Sequence, residues 1–207
     1  MQRKVFDVLA SAAGMLMVIM LVIAGVLLMW GYSFANSNVH NQLAEQQITF
    51  PPEMAFAHPV AGSEITPSMI PSVSQYAGQQ LTTAAQAEVY ADDFIAVHLQ
   101  EIGGGLTYAQ LSAKAMALPK GSAAYAAAEA KAQTVFQGTT LRGLLLEAYA
   151  FGTIATIALV GAITAFVLAA LLAVLVVFGI VHARRVSEST ELEVHAHHGA
   201  TGGLATA

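Results

Sequence analysis

Two stretches of the chain, residues 8–32 and 148–183, contain no Asp, Glu, Lys or Arg. The first is made wholly of apolar, small and aromatic residues. As a helix its 25 residues would extend roughly 37 Å, enough to cross a hydrocarbon core of about 30 Å once. The second is longer than a bilayer requires, which predicts a helix that tilts or begins outside the lipid. Trp30 and Tyr32 close the first stretch and Tyr149 opens the second. Aromatic residues gather where hydrocarbon meets headgroups, so their positions put the segment between the spans on one side of the membrane.

That intervening segment reads as helical after a broken start. All six prolines lie in it, and five of them precede Ser72. A stretch from Ile48 to Ser74 carrying five prolines excludes a long helix and predicts an extended or looping arm. From Thr82 onward Ala84, Ala87, Tyr90, Ala91, Phe94, Val97 and Ile102 recur at helical spacing. Thr82 or Thr83 is placed to cap this helix, and Gly103-Gly104-Gly105 to end it. Thr107-Tyr108-Ala109-Gln110 has capping-box spacing and opens a short helix that stops before Pro119. Ser122 begins an alanine-rich helix to about Gln137, where Gly138 predicts a break. Thr139 or Thr140 then starts a helix that continues through Leu141, Leu144 and Leu145 into the second span. No segment sustains a two-residue alternation, which argues against sheet.

Charge orients this scheme. Arg3 and Lys4 precede the first span and Arg184 and Arg185 follow the second, so the positive-inside bias places both termini in the cytoplasm. The expected architecture is an all-α membrane protein of the cell membrane. It has a cytoplasmic N-terminus (1–7), a first transmembrane helix (8–32), an extracytoplasmic helical domain with the Pro-rich arm (33–147), a second transmembrane helix (148–183) and a cytoplasmic disordered tail (184–207). A cleaved signal peptide is the rival reading of the first span, with Ser33-Phe34-Ala35 as a loose cleavage site. Its apolar run exceeds the 7–15 residues or so of a signal core, which favours a retained anchor. Composition agrees with lipid burial: 56% hydrophobic and 10% charged residues, with a mean hydropathy of +0.62. The net charge of -5 and the lack of any basic run longer than two argue against nucleic acid. With no cysteine, disulfides, thiolate metal sites and thiol nucleophiles are excluded.

The stretch from about Tyr76 to the end of the second span includes three motifs. They are Tyr90-Ala91-Asp92-Asp93-Phe94-Ile95-Ala96-Val97-His98-Leu99, Gly103-Gly104-Gly105-x-Thr107-Tyr108 and Phe136-Gln137-Gly138-x-x-Leu141-Arg142-Gly143-Leu144-Leu145. It resembles a group of actinobacterial two-span membrane proteins often labelled as an aromatic ring-opening dioxygenase subunit. The resemblance covers about two thirds of the chain and implies the two-span architecture, with no catalytic residues to carry over. Ring-opening dioxygenase chemistry requires an iron site of histidines and a carboxylate in a closed pocket.

Candidate chemistry is sparse. Glu88, Asp92, Asp93, His98 and Glu101 lie on one helix, but at about 100° per residue they fan around most of it. A bundle di-iron motif needs Glu three residues before His, where this chain has Ile95. A solvated face or a polar core contact is the expectation. His195, His197 and His198 near Glu191 and Glu193 could hold zinc or nickel weakly, yet their Gly-, Ala- and Thr-rich surroundings predict a disordered tail. Ser187, Ser189 and Thr190 read as a polar juxtamembrane tail. Met15, Met17, Met20 and Met29 read as lipid-facing packing, since no ionisable group accompanies them within the span. His40, His58 and His98 have no nucleophile-elbow or Ser-x-x-Lys context, and the Gly103 triplet lacks the Lys-Ser/Thr of a phosphate loop. The reading is therefore of a protein without enzymatic, cofactor or metal sites.

Small residues inside the spans suggest helix contacts. Gly161, Ala165, Ala169 and Ala173 fall at four-residue intervals, and Ala10, Gly14 and Gly25 lie near one face of the first span. These seven are the candidate packing residues, with the first span of the same chain as the nearest partner for the second, and a membrane protein or a second copy as a further partner alongside the lipid bilayer. The functional expectation is an accessory protein whose extracytoplasmic domain contacts other envelope or membrane-complex subunits. The alternative is an extracytoplasmic sensor or ligand-binding module that signals through a separate cytoplasmic partner, because the tail is too short for a folded output domain. The cysteine-free background makes the topology testable. A Cys replacing Ser122 should react with an impermeant maleimide in intact cells, and a Cys replacing Ser187 should react only after permeabilisation.

Overall fold

The two apolar stretches lie within α1 (Arg3–Glu45) and α7 (Ala123–Arg185) in the computed structural model, which describes residues 3–59 and 65–185. Both helices are long and apolar enough to cross a membrane. Their most apolar windows are only 6% and 17% buried, whereas the core helix of a water-soluble protein is buried against its neighbours. The chain divides into two compact units. One holds α1 up to Leu28 and α7 from Val160, and the other is Met29–Leu159.

In the first unit α1 and α7 touch where side chains are smallest. A methyl group on Gly25 would stand 2.8 Å from the Phe166 ring, one on Gly14 2.6 Å from Val176, and one on Gly161 3.3 Å from Leu28. Such distances are below ordinary carbon contact, so the absent Cβ atoms set how near the helices come. On α7 the buried positions are Ala162, Ala165, Ala169 and Val176, spaced by three, four and seven. Counting the last step as two turns, that is 3.5 residues per turn, which holds one face toward a partner, as in a coiled coil.

The second unit is built from the ends of the long helices and the segments between them. α1 does not stop where its apolar run ends but continues to Glu45, burying Val39 and Leu43. Gln47, at φ 52, turns the chain, and the Ala44 carbonyl at the end of α1 accepts both from Gln47 N at 3.1 Å and from Gln80 Nε2 at 3.0 Å. The chain then pairs briefly with itself: Phe50 N donates to Gln79 O at 2.9 Å and Leu81 N to Ile48 O at 2.8 Å. This bridge is too short for a strand, and the described residues contain none.

The Pro-rich stretch holds no long helix, as its prolines dictate, and it loops, but it also contains short helices that were not expected. It folds into α2 (Glu53–Ala57) and α3 (Ile70–Val73), followed by a 3-10 turn, Ser74–Tyr76. Phe50, Phe56, Ile65, Met69, Val73 and Leu81 are all buried in the core of this unit. The prolines forbid a long helix but permit short ones that begin at them, as Pro52 and Pro71 do.

α4 (Ala84–Val89), a π-helical turn (Tyr90–Ile95) and α5 (Ala96–Gly103) follow without a gap. The wide turn inserts extra backbone, which lets Ala87, Ala91, Phe94 and Ile95 all reach the core. Gly104, at φ 61, ends α5 in the left-handed conformation that suits glycine. α6 (Tyr108–Met116) is capped by Thr107 and Gln110 as its spacing predicts, and its Leu111 joins Ala132 and Val135 of α7 in a second, smaller cluster. Ser122 Oγ accepts from Tyr125 N at the start of α7.

Gly138 does not break α7. A glycine inside a helix costs only about 1 kcal/mol, and here it admits a neighbour, because a Cβ on Gly138 would collide with the Leu99 side chain of α5. Gly152 makes room for Ala84 in the same way.

Gln86 is buried and joins three segments. Its Oε1 accepts from Thr82 N at 2.9 Å and Thr83 N at 3.0 Å, its own N–H is capped by Thr83 Oγ1, and its Nε2 donates to Gln79 Oε1 at 3.1 Å. Gln86→Ala would leave the part-buried N–H donors of Thr82 and Thr83 without their acceptor. It should lower the stability of the helical unit by about 1–3 kcal/mol, read as a fall in the thermal unfolding midpoint followed by circular dichroism in detergent.

Candidate interaction groove

Within the second unit, the last turns of α1 and the middle of α7 leave a cleft of about 640 Å³ between them. Its walls are apolar: Phe34, Val39 and Leu43 from α1, and Leu141, Leu144, Leu145, Phe151 and Ile154 from α7. Val39, Leu43 and Leu145 are buried at its floor, whereas Phe34, Leu144, Phe151 and Ile154 are 50–60% exposed along its edges. Asn38, Gln42 and Gln46 line the α1 side, and Glu147 is the one carboxylate. An apolar floor with an amide rim matches the anatomy of a site for a protein segment, since amides can donate to and accept from a partner backbone while the floor takes its apolar side chains.

A second cavity, of about 560 Å³, lies between α5, the start of α6 and α7. Leu99, Leu106 and Val135 give it an apolar side, and Gln100, Thr107, Thr139 and Arg142 a polar one. Arg142 Nη2 and Nε both donate to Asp92 Oδ1, at 2.6 and 3.2 Å. Both side chains are more than a third exposed, so the pair contributes at most about 1 kcal/mol and holds the π-helical turn to α7 only loosely.

The acidic helix does not gather a metal site among the described residues: no three His, Asp or Glu side chains converge there. Asp92 is turned to Arg142, and His98 is turned inward. Its Nδ1 donates to Phe94 O at 2.8 Å, because a carbonyl can only accept, and its ring packs at 4.5 Å on Phe94. His98 thereby ends a chain of ring contacts from Tyr76 through Phe50, Tyr90 and Phe94. Its Nε2 is closed off from solvent and meets no hydrogen-bond partner. On α7 the negative charge of Glu129, one turn on, pushes the Tyr125 phenol above its ordinary value.

The candidate packing residues are placed as follows. Gly25, Ala165 and Ala169 are buried in the first unit, Gly14, Gly161 and Ala173 are half-buried, and Ala10 is exposed. Four-residue steps advance by about 40° beyond a full turn, so a stripe at that spacing winds away from its partner within three steps. Ala162 and Val176, which keep the seven-residue period with Ala169, are buried on the same face but fall outside a four-residue stripe of small side chains. The histidines of the tail and Ser187, Ser189 and Thr190 lie outside the described residues.

Close packing at Gly25 is directly testable. Gly25→Leu must displace the Phe166 ring and should cost about 1–3 kcal/mol through overpacking, measured as a lower detergent-unfolding midpoint. Gly31→Leu, where nothing lies within 4 Å, should not. No family model, curated protein or solved structure matches this chain.

Proposed function

We propose that this is a membrane-anchored accessory protein, with α1 and α7 in the lipid and both termini cytoplasmic, whose extracytoplasmic helical unit binds a segment of another envelope or membrane-complex subunit in the groove between α1 and α7. The observation that carries the reading is the row of exposed apolar side chains lining that groove. Exposed apolar residues run along α7 from Leu144 to Val181, roughly 55 Å of helix, whereas a bilayer covers about 30 Å. Lipid therefore accounts for only part of them, and a partner accounts for the rest. Low burial of the apolar windows supports membrane insertion over a soluble core, and the continuity of α1 through Ala35 supports a retained anchor over a cleaved signal.

The cavity beside Arg142 supports a second reading, a sensor that takes a small polar molecule, with Arg142 and the neighbouring threonines as its donors. The two readings separate on purification. In the accessory reading, gentle solubilisation and affinity capture bring down a stoichiometric membrane partner, and Leu144→Glu with Phe151→Glu releases it while helicity is unchanged. If the chain emerges alone and a small anion raises its unfolding midpoint in an Arg142-dependent manner, the sensor reading replaces it. Recovery of the intact chain in the aqueous fraction after carbonate washing would overturn both.

A further inference from the structure

A third cleft, of about 630 Å³, lies in the first unit between Val8 and Ile180, where Ser11 is the only polar side chain beside Arg184. The 560 Å³ cavity of the second unit is better furnished, because the walls that hold its cation also carry unused hydrogen-bonding groups. Arg142 is the only charged residue in its lining. Nε and Nη2 of Arg142 donate to a single oxygen, Asp92 Oδ1. One edge of the guanidinium is thereby occupied, and Nη1 has no partner among the described residues. Thr139 lies three residues before Arg142 on the same wall. α7 carries six threonines, and Thr134, Thr140, Thr153, Thr156 and Thr164 each turn the hydroxyl back onto the carbonyl four residues earlier. A hydroxyl inside a helix ordinarily does so. Thr139, the one that lines the cavity, does not, and its O–H has no partner among the described residues.

We infer that this cavity binds a small monocarboxylate with an apolar body, its carboxylate on the open edge of Arg142 and the hydroxyl of Thr139, its body against Leu99, Leu106 and Val135. The inference deepens the sensor reading, on whose cavity it rests, and is independent of the groove. Each part of the ligand answers a wall. One cation and no carboxylate in the lining favour an anion. The open edge, Nη1 with the second hydrogen of Nη2, presents two parallel N–H groups, the match for a planar carboxylate. Asp92 already draws on the same charge, so an incoming anion competes with it. A doubly charged phosphate would leave two negative charges at the guanidinium where a monocarboxylate leaves one. The apolar side then rewards hydrocarbon in proportion to the area it covers.

Calorimetric titration of the full chain in detergent with hexanoate, acetate, hexanol and inorganic phosphate, corrected for empty micelles, tests this. Hexanoate should bind about tenfold more tightly than acetate, through its additional methylene groups. It should also bind about tenfold more tightly than hexanol, which offers Arg142 no charge. Arg142→Gln should erase the advantage over hexanol, and Thr139→Val should weaken hexanoate severalfold. Asp92→Asn should tighten hexanoate, because it removes the competitor and leaves the guanidinium in place. A merely structural role for the Asp92–Arg142 pair predicts the opposite sign. Unchanged helicity and elution volume would show that each variant is folded. Hexanoate no tighter than acetate, affinity unaltered by Arg142→Gln, or weaker binding in Asp92→Asn overturns the inference. If phosphate binds in an Arg142-dependent manner while hexanoate does not exceed acetate, the inference falls alone and the sensor reading stands. If no probe responds to Arg142→Gln, both fall.

Discussion

A helix whose surface is almost wholly apolar can satisfy its backbone internally, but its side chains still need somewhere other than water to go. In α1 and α7 only a narrow face meets the partner helix, and that contact depends on the absence of side-chain atoms. Gly25 admits Phe166, Gly14 admits Val176, and Gly161 admits Leu28. Everything opposite that face stays exposed, from Met15 and Leu16 on α1 to Leu175 and Phe178 on α7. Between helices as apolar as lipid tails, the hydrophobic effect gives little preference for a neighbour over solvent chains, so close van der Waals approach has to supply it.

The helical unit meets the opposite problem, since it must assemble a core from many short pieces. It does so with bulky side chains from the proline-bearing segment, held in place by polar joints at the turns. Gln86 shows the economy of the arrangement. A single amide caps α4, fixes the chain entering it and ties that turn to Gln79. Glycines inside α7 serve the same unit: Gly138 and Gly152 are where α5 and α4 come nearest to it. Helix propensity argues against glycine at these positions, and packing overrides it.

This contrast explains what could be read from the sequence. The apolar runs, the Thr83 and Thr107 capping boxes and the glycine stop after α5 depend on neighbours within a few residues, and they were legible. The continuation of α7 through Gly138 was not, because it depends on Leu99, which is 39 positions away. The proline-rich stretch was legible only in part, for a related reason. Proline spacing limits helix length but says nothing about where Phe50 or Met69 will be buried. The π-helical turn has no local signal, since it exists to bring Phe94 and Ile95 inward together. Among the small residues of the second span, counting by fours found Ala165 and Ala169, which are buried, with Gly161 and Ala173 half-buried on either side. Counting by sevens from Ala169 would have added Ala162 and Val176.

The three clefts differ in what their walls can recognise, and that difference argues for a division of roles. The groove lined by Leu144 and Phe151 offers area and amides but almost no charge, so it suits a surface that is itself apolar and extended. The cavity beside Arg142 is smaller in its apolar part, and its cation is already engaged with Asp92, so any anion there must compete with an existing pair. The cleft between Val8 and Ile180 sets an apolar slot beside a single guanidinium, that of Arg184, so its walls favour apolar length over any pattern of polar groups.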